Sequence, residues 1–132
     1  CPHGLWVDPR GDQPTVMVAD RSNRRLQVFD LDGKSVALHT KGVRRPCDVD
    51  FRDGVMLVPD LESVVTLYDE KNEPITMLGD GHPTNLRGKP RTDFQPGRFV
   101  HPHDAIFLQD GSILVAEWVP IGRVTRLVKF DG

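Results

Sequence analysis

Two histidines and a cysteine recur at one place in three successive stretches of the chain: His3 in Pro2-His3-Gly4-Leu5, Cys47 in Pro46-Cys47-Asp48-Val49 and His103 in Pro102-His103-Asp104-Ala105. Neutral imidazole and thiolate are the side chains that hold zinc, and a site with protein ligands on one side keeps a position for water or substrate. Zinc in such a site lowers the pKa of its water and polarises a substrate oxygen. Plainer roles fit the same residues. A histidine after proline can hydrogen-bond at a strand entrance, and a buried cysteine can line a channel as a small apolar side chain. His101, just before Pro102, is a further ligand or substrate contact, or else an exposed loop histidine. Arg21, in Asp20-Arg21-Ser22-Asn23, carries a planar fork of donors that can orient a substrate carboxylate or alkoxide, or pair with a carboxylate of a neighbouring unit.

These side chains meet only if the chain is built from equal units, and the sequence is repetitive in that way. Each stretch opens a repeat of about 44 residues with an apolar run, a turn, and a second apolar strand ending in a carboxylate (Asp20, Asp60, Glu117). Strand-rich repeats of this period predict propeller blades, here over residues 1–45, 46–100 and 101–132. In the first blade, strands are predicted at Leu5–Val7, Thr15–Ala19, Leu26–Phe29 and Ser35–Thr40. The nearly continuous apolar run Thr15–Ala19 predicts a strand covered on both faces. The third blade stops at Asp131-Gly132, where its outer strand should begin. In a four-stranded meander the first strand starts, and the second ends, on the same side of the disc. That gathers His3, Cys47, His103, Arg21 and the three carboxylates at one mouth of a central channel. Because the carboxylates recur in every blade, they are expected to accept structural hydrogen bonds. The connection from Gly79 to His101, with Arg87, Lys89, Arg91 and Arg98, is long enough to be functional or a solvated loop.

Seventeen basic residues against 19 acidic ones, a net charge of −2, give no general attraction to nucleic acid or to an anionic membrane surface. No run approaches the ~20 apolar residues of a membrane-spanning helix. Two cysteines permit at most one disulfide and leave the redox compartment undecided. Phosphate-binding glycine motifs, a Gly-x-Ser-x-Gly elbow and Cys-x-x-Cys are all missing from the sequence. Three blades do not close a ring, since closed propellers have ~4–8. The chain is therefore expected to be part of a longer one, or to form a homodimer that completes a six-bladed ring.

The stretches Pro-His-Gly-Leu-Trp-Val-Asp and Val-Ala-Asp-Arg-Ser-Asn-Arg-Arg-Leu-Gln-Val-Phe-Asp-Leu-Asp-Gly, within residues 2–33, resemble the NHL repeat, as does Gln95-Pro96-Gly97-Arg98-Phe99 ahead of Pro102-His103-Asp104. This resemblance implies an all-β fold, an NHL-type β-propeller of which the chain supplies three blades, half of a six-bladed ring. Within that family the local match is to peptidyl-α-hydroxyglycine α-amidating lyases. In those enzymes histidines of Pro-His motifs from alternate blades hold a catalytic zinc, which implies His3 and His103 as metal ligands. An arginine in an Ala-Asp-Arg motif is used as well, which implies Arg21 as a catalytic residue. Here the third Pro-His and the catalytic tyrosine of those lyases have no counterpart, and His101 stands where they have methionine. The resemblance implies a peptide or small-molecule substrate. The alternative is a non-catalytic scaffold with a protein partner. A calcium-dependent hydrolase would instead draw on Asp48 and Asp104.

Overall fold

The structure, a computed structural model, describes residues 1–82 and 85–130. Three antiparallel meanders stand side by side. The first holds β1 (Pro2–Asp8), β2 (Thr15–Asp20), β3 (Arg25–Phe29) and β4 (Ser35–His39), in that order. The second holds β5 (Asp50–Arg52), β6 (Val55–Asp60), β7 (Val64–Tyr68) and β8 (Pro74–Leu78). The third holds β9 (Pro102–Phe107), β10 (Ile113–Glu117) and β11 (Arg123–Leu127). These are three blades, and among the described residues the third has three strands. Asp131-Gly132, where the outer strand of blade 3 is expected to begin, lies outside the described residues, as do Pro83 and Thr84 of the long connection.

The core sits between blades. Alternate residues of the central strand β6 face opposite ways. Met56 and Val58 pack with Met17, Ala19, Leu26, Val28 and Tyr68, whereas Leu57 packs with Val65, Phe99, Ala105, Ile113 and Val115. A strand covered on both faces needs apolar residues at every position, which explains Val55-Met56-Leu57-Val58. The same expectation for Thr15–Ala19 is corrected. Met17 and Ala19 are buried against blade 2, but the other face of blade 1 is open, and Leu5 of β1, paired with Val18 on that face, is 58% exposed. Blade 3 mirrors this: Ile113 and Val115 are buried, while Val124 is 68% exposed. The sequence pattern reported apolar faces correctly; only the middle blade has both neighbours to cover them.

Polar stitches fix the spacing between blades. Arg10, in the β1–β2 turn, forms a bidentate pair with Asp8 at 2.7 and 2.8 Å. It then crosses to blade 2, donating to the Asp69 carbonyl at 2.8 Å and to Asn72 Oδ1 at 2.7 Å. Its guanidinium also lies 4.9 Å from the centre of the Phe51 ring. His39, which carried no pattern in the sequence, hydrogen-bonds Asn72 at 3.0 Å in the same network. Between blades 2 and 3, Arg52 donates to the carbonyls of Leu108 and Gln109 at 2.7 and 2.6 Å, and Asp50 accepts the Phe107 N–H at 2.7 Å.

The strand-ending carboxylates hold the mouth together, as their recurrence suggested. Asp20 is buried and accepts from Asn23, Arg25 and Gln27. Burial alone would raise its pKa, but those three donors outweigh it and hold the carboxyl far below the usual range. Asp60 accepts the backbone N–H groups of Arg44, Arg45 and Glu62 at 2.8–2.9 Å. Glu117 accepts the Val100 N–H at 2.6 Å and pairs with Arg123. Proline at each first-strand start lies opposite one of these carboxylates: Pro2 opposite Asp20, Pro46 opposite Asp60 and Pro102 opposite Glu117. This register brings the residue after each proline to one rim.

Candidate metal centre

His3, Cys47 and His103 come together at that rim. One ligand-capable atom from each, two imidazole nitrogens and the thiol sulfur, lie within 4.8 Å of one another. The two imidazoles meet edge to face with centroids 4.5 Å apart. The Cys47 carbonyl accepts the Gly4 N–H at 2.8 Å and is 2.9 Å from His3 Nδ1. A carbonyl can only accept, so His3 carries its proton on Nδ1 and offers a free lone pair on Nε2. A backbone hydrogen bond that fixes the tautomer in this way is how proteins prepare a metal-binding histidine. His103 is held toward its neutral form by burial first, then by the charges of His3 and Arg21. Cys47 is fully buried, and burial pushes its thiol up to about 11 although Arg21 beside it pulls the other way. It would therefore become a ligand by giving its proton up to an arriving metal.

Two nitrogens and one sulfur form a donor set that zinc accepts. Tetrahedral zinc with bonds of ~2.0–2.3 Å needs its ligand atoms about 3.3–3.8 Å apart, so side-chain rotations of about 1 Å would close the group on an ion. His3 is exposed and His103 half-buried, so such an ion would face the outside. The residues open onto a cleft of about 220 Å³, also lined by Gly4, Asp48 and Asp104. Glycine is required at position 4: a Cβ there would lie 2.6 Å from the Cys47 carbonyl oxygen and 2.1 Å from Asp48 Oδ1.

Asp48 and Asp104 both line the cleft, close enough for each carboxyl to act on the other. Asp48 is pushed up to about 7, by burial first and then by Asp104. The shift also has a consequence for stability. The folded chain keeps the Asp48 proton while the unfolded chain releases it near pH 4, so folding is penalised progressively as pH rises from about 4 to 7. Asp48→Asn is expected to stabilise the chain toward urea at pH 8 and to change nothing at pH 3. Equal midpoint shifts at both pH values would contradict this.

Of the remaining sequence candidates, Arg21 is beside both Cys47 and His103, and its Nε is buried without a hydrogen-bond partner among the described residues. His101 stands apart from the triad, with Nδ1 on the Leu61 carbonyl at 2.9 Å and its ring beside Trp118. The two cysteines are free thiols, Cys1 exposed and Cys47 buried. Sequence reasoning passed over Trp118, whose ring centre is 6.4 Å from that of His103. Its repeat position, directly after Glu117 as Arg21 is after Asp20, was the signal that could have found it.

No protein-family model matches the chain, and no curated protein matches it in sequence. Among solved structures, the crystal structure of selenomethionine-substituted virginiamycin B lyase from Staphylococcus aureus superposes on 99% of this chain with a TM-score of 0.61 at 13% sequence identity. The chain spans 42% of that protein's length. At this identity the likeness speaks for architecture alone, and with the three meanders described above it establishes the chain as three blades of a β-propeller.

Proposed function

We propose that the chain carries part of the active site of a zinc-dependent lyase that cleaves a carbinolamide into an amide and an aldehyde. The observation that supports this reading is the clustering of His3, Cys47 and His103 within 4.8 Å at an open cleft. The NHL-like Pro-His and Ala-Asp-Arg motifs supply the reaction class. The open faces of blades 1 and 3 receive the remaining blades of the ring, from a longer chain or from a second copy, and these complete the ligand set.

Bound at the cluster, zinc supplies a Lewis acid for the substrate hydroxyl oxygen. The chain's own residues do the rest. Arg21 directs its donors to that oxygen and stabilises charge developing on it. The Nδ1 hydrogen bond of His3 holds its ring in the binding tautomer. Asp48, its carboxyl pushed up to about 7 by burial first and then by Asp104, lies at the cleft wall and would serve as the acid for the departing nitrogen. In balance, the carbon–nitrogen bond breaks, the hydroxyl loses its proton to become the aldehyde oxygen, and the amide nitrogen gains one.

The test is to incubate zinc-loaded protein with N-benzoyl-α-hydroxyglycine and assay benzamide and glyoxylate. Equal amounts of both, abolished by a chelator and by Arg21→Ala, are expected. Turnover no faster than the spontaneous reaction in protein that holds stoichiometric zinc would remove the lyase reading.

A further inference from the structure

Outside the metal cleft, blades 1 and 2 are joined by a chain of hydrogen bonds that runs from Asp8 through Arg10 and Asn72 to His39. Asp8, Arg10 and His39 belong to blade 1, and His39 ends its outer strand β4. Asn72 belongs to the β7–β8 turn of blade 2. Its backbone there is left-handed, with φ at 59°, and its N–H is held by the Asp69 carbonyl at 3.0 Å.

The direction of each bond in this chain is fixed by its members. A guanidinium carries donors only, so the Asn72 atom that meets Arg10 at 2.7 Å is the acceptor Oδ1. The amide then presents Nδ2, which only donates, to His39 Nε2 at 3.0 Å. His39 must accept there, so its ring is neutral and carries its one proton on Nδ1. A proton on Nε2 would set two N–H donors against each other. Flipping the Asn72 amide gives no relief, because its NH2 group would then face Arg10. Arg10 is itself held in place by Asp8 and by the Asp69 carbonyl.

The surroundings also oppose a charged ring. His39 is half-buried, and burial first, then the charge of Arg10, hold it below the usual histidine range while Asp8 pulls the other way. Glu70 lines the same cleft, of about 200 Å³. The Lys41–Glu73 pair, two residues along from His39 and one from Asn72, bridges the same two blades and is exposed. We propose that His39 and Asn72 form a pH-sensitive latch: the neutral ring ties the outer strand of blade 1 to the β7–β8 turn of blade 2, and protonation of the ring releases that turn. The unfolded chain takes up this proton at a higher pH than the folded one. The latch therefore contributes in full above about pH 6.5, and its contribution is lost as pH falls from there toward the lowered folded-state value. Asp48 acts in the opposite sense over an overlapping range, so the readout must be local.

NMR of the isotope-labelled chain, titrated from about pH 8 to about pH 4.5, supplies it. At pH 7 the His39 ring nitrogens should report the Nδ1–H tautomer, and the midpoint should lie below that of His39 in the urea-unfolded chain. Across that midpoint, exchange of the Asn72 and Glu73 N–H groups, corrected for the intrinsic effect of pH, should speed up about two- to tenfold, as for loss of one hydrogen bond. Asn72→Asp keeps one oxygen for Arg10 and offers the other to the ring, and aspartate tolerates the left-handed backbone. It should invert the response, with the midpoint above the unfolded value and the turn still protected in acid. In the wild type, an Nε2–H tautomer at pH 7, a midpoint at or above the unfolded value, or exchange indifferent to protonation of His39 would each overturn the latch. So would folded Asn72→Asp protein whose midpoint stays low. Should that variant fail to fold, the wild-type measurements decide alone.

Discussion

Replacing His103 with alanine is expected to lower zinc affinity by about a hundredfold or more, and His3→Ala to do the same. Loss of residues that merely orient a ligand already costs ~10–100-fold, and a ligand itself counts for more. The two histidines are not interchangeable with a distant pair: their ring centres are 4.5 Å apart, with Cys47 sulfur in the same group. His101→Ala serves as the internal control. Its Nδ1 is committed to the Leu61 carbonyl and it lies outside the cluster, so zinc affinity should be nearly unchanged. Isothermal titration of the three variants decides the point. Parallel losses for all three, or for none, would mean that the cluster is not the metal site.

The second large effect concerns the fold. Arg10→Ala should destabilise the chain by about 3–5 kcal/mol, the range for breaking a buried ion pair from one side. The Arg10 side chain is 5% exposed and that of Asp8 10%, so truncation leaves a desolvated carboxylate and strips donors from Asp69 and Asn72 of the next blade. Burial alone would raise the Asp8 pKa, but Arg10's hydrogen bonds and charge outweigh it and hold the carboxyl below its ordinary value. The pair's contribution is therefore present above about pH 4 and is lost as pH falls through the lowered folded-state value. The gap between wild type and Arg10→Ala should narrow in acid. Urea unfolding at pH 7 and pH 3 measures both quantities. A difference below about 1 kcal/mol at neutral pH would show that the blades are held by apolar contact alone.

What could be read from the sequence, and what could not, separates along physical lines. Strand and turn patterns are local, so all eleven strands fall where alternation and turn residues put them, with ends shifted by a few residues. The convergence of His3 and His103 was legible because equal repeats impose equal radial positions on their opening residues. Cys47 occupies the same repeat position but read more readily as a small apolar channel-lining side chain; the distance of its sulfur from two imidazole nitrogens had to be seen. The full burial expected of Thr15–Ala19 failed because a sequence reports which faces are apolar, not whether a neighbour covers them. Arg10 read as one residue of a polar turn, since its partners at Asp69 and Asn72 belong to another blade. The stacking of Arg87 on Trp118 depends on the path of the 79–101 connection, which no periodicity encodes.

The most direct test of the metal centre is zinc K-edge X-ray absorption on protein reconstituted with one equivalent of zinc. The account predicts a first shell with nitrogen at ~2.0–2.1 Å and one sulfur at ~2.3 Å, the sulfur vanishing in Cys47→Ser. A shell of light atoms only, identical in wild type and Cys47→Ser, would contradict it.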